Sequence, residues 1–71
     1  MSTAFDTGLP STRQVQSLIK DEKQVDVKLV TGEVLSGKIR WQDQHCIALI
    51  DENNQSIIMW RQALAYIKPR A

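Results

Sequence analysis

The sequence predicts a mainly β domain: one N-terminal α-helix followed by five short strands, strongly bent into a small antiparallel barrel. Three observations predict it. Apolar residues recur at helical spacing once, near the start of the chain. From Val25 onward they recur with a period of two. Turn-forming residues, among them Gly32, Asp43 and the run Asp51-Glu52-Asn53-Asn54, then break that alternation at short intervals.

Taken in order, residues 1–10 are small and polar, carry Gly8 and Pro10, and read as a loose arm. The folded domain is expected over 11–69, and residues 70–71 form the C-terminal end with no long tail. Ser11 with Gln14 three residues on has the pattern of a capping box. Val15, Leu18 and Ile19 then share one helical face, and the helix ends near Glu22. Val25, Val27 and Leu29 alternate with Asp26 and Lys28, as in a half-buried strand. Thr31-Gly32 makes the first turn, with Gly32 free to adopt positive φ. In the second strand Leu35, Gly37, Ile39 and Trp41 fall on one face, with Ser36, Lys38, Arg40 and Gln42 on the other. A glycine at position 37 weakens a strand unless that strand bends sharply or lets another backbone approach. The run from His45 to Ile50 is apolar on both faces, as a central strand is. Ser56 to Trp60 and Leu64 to Lys68 complete the five, with Pro69 as the stop. A barrel this small leaves unpaired edges, and the apolar fourth strand is poorly protected if it lies at one.

At 71 residues the chain is one domain with a limited core. A domain of about this size buries only about 60% of the surface its unfolded chain exposes. Below roughly 80 residues disulfides, metals or self-association commonly make up the difference. The single cysteine, Cys46, forms no internal disulfide, and no cysteine–histidine cluster offers a metal ligand set. Self-association remains. Repeated pairing of one open edge with the opposite edge of a neighbour would close into a ring. Nine basic and eight acidic residues leave a net charge of +1, far from the strongly basic balance of a purely electrostatic nucleic-acid binder. No apolar run approaches the roughly 20 residues of a membrane span, and no export signal precedes the domain. The expected location is the cytoplasm.

Helix, five strands, Leu29-Val30-Thr31-Gly32, Leu35-Ser36-Gly37-Lys38-Ile39, Asp43-Gln44, Ala63-Leu64 and the late Pro69 together resemble the Hfq family, bacterial Sm-like RNA-binding proteins. The likeness spans roughly residues 11–69 and is to a divergent member of cyanobacterial type. It implies an Sm-like barrel and a homohexameric ring with a central pore. It also implies an RNA-chaperone role in post-transcriptional regulation, with small regulatory RNA or mRNA bound on two faces and the rim. On the pore-side face it places Gln44, His45, Arg61 and Gln62 at RNA-contact positions. On the distal face it places Lys28 and Gly32. Several of these depart from the family's pattern. His45 stands where the family has a larger aromatic ring, Gln62 where it has histidine, and Lys28 where it has a stacking tyrosine. The helix carries Ile19, Lys20 and Glu22 where the family has a basic rim patch. The expectation is RNA binding of reduced strength.

Each candidate also has a plainer reading. His45 is a base-stacking residue at a pore or an inert histidine at a strand end. Trp41 and Trp60 are stacking platforms or, more in keeping with alternating apolar strands, core or subunit-interface residues. Lys38 and Arg40 meet phosphate or form a solvated face. Cys46 reads as a small core residue, because successive strand residues face opposite ways and His45 cannot activate it. Asp43 reads as a turn aspartate accepting backbone N–H groups. No constellation supports an enzyme, a metal or a cofactor. Two functions remain: an RNA-binding ring, or a ring on the same scaffold whose main role is docking to a protein partner. No membrane or DNA partner is expected.

Overall fold

In the computed structural model, which describes residues 8–70, a helix is followed by five strands in a single antiparallel sheet. The elements are α1 (Pro10–Lys20), β1 (Gln24–Leu29), β2 (Val34–Gln42), β3 (Cys46–Asp51), β4 (Ser56–Trp60), a 3-10 turn (Arg61–Ala63) and β5 (Leu64–Pro69). Strand order is β4-β3-β2-β1-β5, so β4 and β5 are the two edges. That is the expected architecture, with the apolar fourth strand at an edge. Most of the expected arm, residues 1–7, lies outside the described residues.

The helix starts differently from the capping-box reading. Leu9 is the N-cap, no side chain caps it, and Pro10 occupies the first helical turn. Proline suits that place because its fixed φ is helical and its missing N–H has no intrahelical partner to lose. Ser11 and Gln14 are exposed and belong to the helix itself. At the other end the helix stops at Lys20. The Lys23 N–H bonds to the Leu18 carbonyl (3.1 Å) and the Glu22 N–H to the Ile19 carbonyl (3.2 Å), the bond pair that closes many helices. Glu22 takes the left-handed conformation (φ 50°) that glycine usually supplies there. Thr12 and Val15 are buried, and Leu18 and Ile19 half-buried, so the buried stripe starts one turn earlier than the apolar residues alone predict, at the polar Thr12.

The core is Val15, Val25, Val27, Ile39, Ile47, Leu49 and Met59, flanked by Leu18, Ile19, Leu29, Leu35, Ile57, Leu64 and Ile67. Burial alternates along β1 as the period predicts, and Ile47, Ala48 and Leu49 of β3 are all buried. Gly32 has φ 97°, and its N–H closes the turn onto the Leu29 carbonyl (2.9 Å). Gly37 makes the close approach its place in a strand implied. A Cβ there would clash with the Ile50 carbonyl oxygen and lie 2.9 Å from the Ile50 carbonyl carbon and 3.0 Å from Asp51 Cα.

One face assignment changes. Ile39 pairs with Leu49 and Trp41 with Ala48, which leaves Arg40 as an extra, unpaired residue. Such a bulge sets two residues of one strand against one of its partner and resets the alternation. Arg40 and Trp41 are therefore both exposed, and Gln42 turns towards the helix. Trp41 (42% exposed) and Trp60 (56%) are not core residues. Cys46 is half-buried and lies outside the core cluster. His45 precedes β3 rather than opening it.

Candidate nucleic-acid interface

Two features build the cleft at one end of the barrel: the turn between β2 and β3, and the 3-10 turn that follows β4. Asp43 organises the first. Its Oδ1 accepts the backbone N–H of His45 (2.9 Å) and of Cys46 (2.7 Å), while its own N–H bonds to the Cys46 carbonyl (2.9 Å). This is the turn aspartate expected from sequence. The two accepted N–H groups hold its carboxyl below the usual aspartate range. The Asp51 turn repeats the device, with Oδ1 accepting from Asn53 and Gln55 (2.9 Å each).

The 3-10 turn is tied to the Asp43 turn by its first residue. The Arg61 N–H donates to the His45 carbonyl (2.8 Å), its Nε to the Asp43 carbonyl (2.9 Å), and its Nη2 to Gln42 Oε1 (2.7 Å). Gln42 Nε2 in turn donates to the Thr12 carbonyl (3.1 Å) and to Gln16 Oε1 (2.7 Å) on α1. The guanidinium is thus seated, half-buried, at the junction of helix and barrel. The result is an open cleft of about 270 Å³ lined by Gln44, His45, Trp60, Arg61 and Gln62. All four pore-side residues named from sequence line it, joined by Trp60.

Such a lining offers aromatic and imidazole surfaces, two side-chain amides and a cation, which suits non-covalent contact with bases and phosphate. Burial, helped by the charge of Asp43, pushes the nearby Cys46 thiol up, away from the thiolate a nucleophile needs. Among the described residues no group of His, Cys, Asp and Glu could hold a metal ion.

Elsewhere, Lys38 and Arg40 line a larger cleft of about 610 Å³ with Lys20, but Glu22, Asp51 and Glu52 line it too. Its formal charges balance, so it focuses little field on an anion. On the outer face of β1 and β5, Lys28 pairs across from Tyr66, and its Nζ lies 6.0 Å from the centre of the Tyr66 ring. Sequence reasoning missed Tyr66 because the register that sets it beside Lys28 joins residues far apart in the chain. Gly32, the other distal candidate, is exposed at the tip of the β1–β2 turn. In the next row Arg70 engages Asp26 (2.8 Å) and donates to Ser36 Oγ (3.2 Å); the Arg70 contact and a hydrogen bond donated by the Ser36 hydroxyl (2.7 Å) keep the Asp26 carboxyl below its usual range.

A family described as Hfq related matches residues 9–69. No curated protein sequence matches the chain. Among solved structures, the chain is similar to an Hfq protein from Anabaena sp., with 44% identity and a TM-score of 0.80, covering 87% of this chain and 98% of that one. It is also similar in fold to a structure of the pleiotropic translational regulator Hfq (TM-score 0.78), covering 82% of this chain and 95% of that one at 14% identity. With the family's pattern matched over nearly the whole described chain, and with close similarity to the Anabaena protein, this chain belongs to the Hfq family.

Proposed function

We propose that the chain is the subunit of a ring, six-membered by family analogy, that binds RNA non-covalently and acts as an RNA chaperone in post-transcriptional regulation in the cytoplasm. The observation that carries this reading is the cleft that gathers Gln44, His45, Trp60, Arg61 and Gln62. A base stacks on Trp60 or His45, an amide reads a base edge, and Arg61 meets phosphate. The two open edges support the ring: β4 of one subunit extends the sheet beyond β5 of the next. Affinity is weaker than the family's usual, because Lys28 and Gln62 replace family contact residues and the larger basic cleft is neutralised by acids. On this reading there is no catalytic step.

A second reading is a ring that mainly docks a protein. It is favoured by Trp41, which the bulge sets on the surface outside the lining of the cleft.

The test is a titration of U-rich and A-rich oligoribonucleotides against the purified protein across salt concentrations. The RNA reading expects U-rich binding whose log affinity falls with log salt by about 0.7 per phosphate neutralised. Arg61→Ala should weaken it about tenfold, as loss of one charged contact does, with sedimentation unchanged. Unaltered affinity in that variant would remove the cleft from consideration and leave the docking reading ahead. Ile58→Pro, in the middle of edge strand β4, should dissociate the ring; an oligomer unchanged in sedimentation would overturn the edge-pairing arrangement.

A further inference from the structure

The geometry points to Gln42 as the positioning residue for Arg61, coupling the docking of α1 to the binding strength of the cleft. This rests on the reading of that cleft as an RNA site and adds a control element to it.

The contacts leave little freedom in how Gln42 sits. Its Oε1 accepts from Arg61 Nη2 at 2.7 Å, while its Nε2 donates to the Thr12 carbonyl at 3.1 Å and to Gln16 Oε1 at 2.7 Å. Rotating the amide by half a turn would set an NH₂ group against a guanidinium, which has donors only. It would also set an oxygen against the Thr12 carbonyl oxygen, a backbone acceptor that cannot turn away. One orientation satisfies all three partners. The amide is therefore a polarised relay, with acceptors of the helix at one end and a cation of the cleft at the other.

Arg61 has a long, rotamer-rich side chain that must be ordered before its fork can meet a phosphate. Gln42 and the Asp43 carbonyl engage two of the five N–H donors a guanidinium carries, through different nitrogens, and that fixes the plane of the group. The ordering is then complete before ligand arrives. Gln42 is available for this only because of the bulge at Arg40. In a regular strand Gln42 would lie on the face opposite Ile39, away from the helix. A helix that shifts would carry Thr12 and Gln16 with it, loosen the amide and let Arg61 swing. RNA affinity thus reads the seating of α1 through a residue that itself touches no RNA.

The experiment uses the full chain and a short oligouridylate as probe, with sedimentation and thermal unfolding as controls on assembly. Gln42→Met keeps the length of the side chain and removes the relay. Affinity should fall about three- to tenfold, the cost of ordering one long side chain during binding. The salt slope should stay as in the parent, since Arg61 keeps its charge, whereas Arg61→Ala lowers it by about 0.7 per lost phosphate contact. The double variant should bind no worse than Arg61→Ala alone, because the effect of Gln42 passes through Arg61. Where Gln42→Met fails to assemble, Gln42→Glu serves instead. It keeps an acceptor for Arg61 but matches its charge, so both affinity and salt slope should fall. Parent-like binding in an assembled Gln42→Met or Gln42→Glu protein, or losses that multiply in the double variant, would overturn this inference alone. Parent-like binding in Arg61→Ala would overturn the cleft reading and this inference with it.

Discussion

Strand β2 departs from regular geometry twice, and the two departures work in opposite ways. At Gly37 the chain loses a side chain so that β3 can come close: the Ile50 carbonyl stands where a Cβ would be. At Arg40 it gains a residue, and the faces of everything after it are reset against β3. The first is a matter of local volume and is written in the residue type. The second is a matter of counting against a partner strand, and no residue type announces it. The comparison separates a bend that depends on one amino acid from a bulge that depends on register.

Two substitutions and one deletion test that contrast. The largest effect is expected from Gly37→Ala. The added methyl meets backbone atoms that cannot rotate away, so denaturant unfolding should show a loss of about 3 kcal/mol, at the upper end for overpacking. A loss below about 1 kcal/mol would mean that the sheet can open at this point at little cost. Deleting Arg40 should cost less. It leaves Ile39 opposite Leu49 and Trp41 opposite Ala48 with no residue to spare, so the protein should fold with a loss of about 1–2 kcal/mol from reduced curvature. Failure to fold would show that the bulge supplies the closure of the barrel. The smallest change is expected from Trp41→Thr. An exposed strand residue changed this way should shift stability by no more than about 0.5 kcal/mol, against about 3–5 kcal/mol for truncating a core tryptophan. A shift of the larger kind would return Trp41 to the interior.

The contrast also explains how far the sequence could be read. The period of two over Val25, Val27 and Leu29 survives because both faces of β1 are defined by burial. Gly32, Gly37 and Asp43 do what their residue types require: positive φ, close approach and acceptance of backbone N–H groups. The apolar run of β4 was expected to be poorly protected if it lay at an edge, and the strand order places it at one. The start of α1 misled because Ser11 and Gln14 have the spacing of a cap, while Pro10 already had a claim on the first turn. The face of Trp41 misled because alternation was carried through a bulge that only the pairing with β3 reveals. Arg61, Gln44, His45 and Gln62 came from family likeness, and the fold does bring them to one cleft. The tie from Arg61 through Gln42 to Thr12 and Gln16 was beyond reach, since it joins residues 19, 26 and 30 positions apart.

Both tryptophans of the chain lie on its surface. In most small domains an indole sits inside, and its fluorescence records whether the core is intact. Here the two indoles are already about half exposed in the isolated subunit, so unfolding uncovers only the remainder of each. Association and ligand contact act on the exposed half, because those events take it out of water. The optical signal native to this protein is therefore a signal of what touches it. Trp60 lines the cleft that holds Arg61 and Trp41 does not, although the strand register sets both on one face of the sheet.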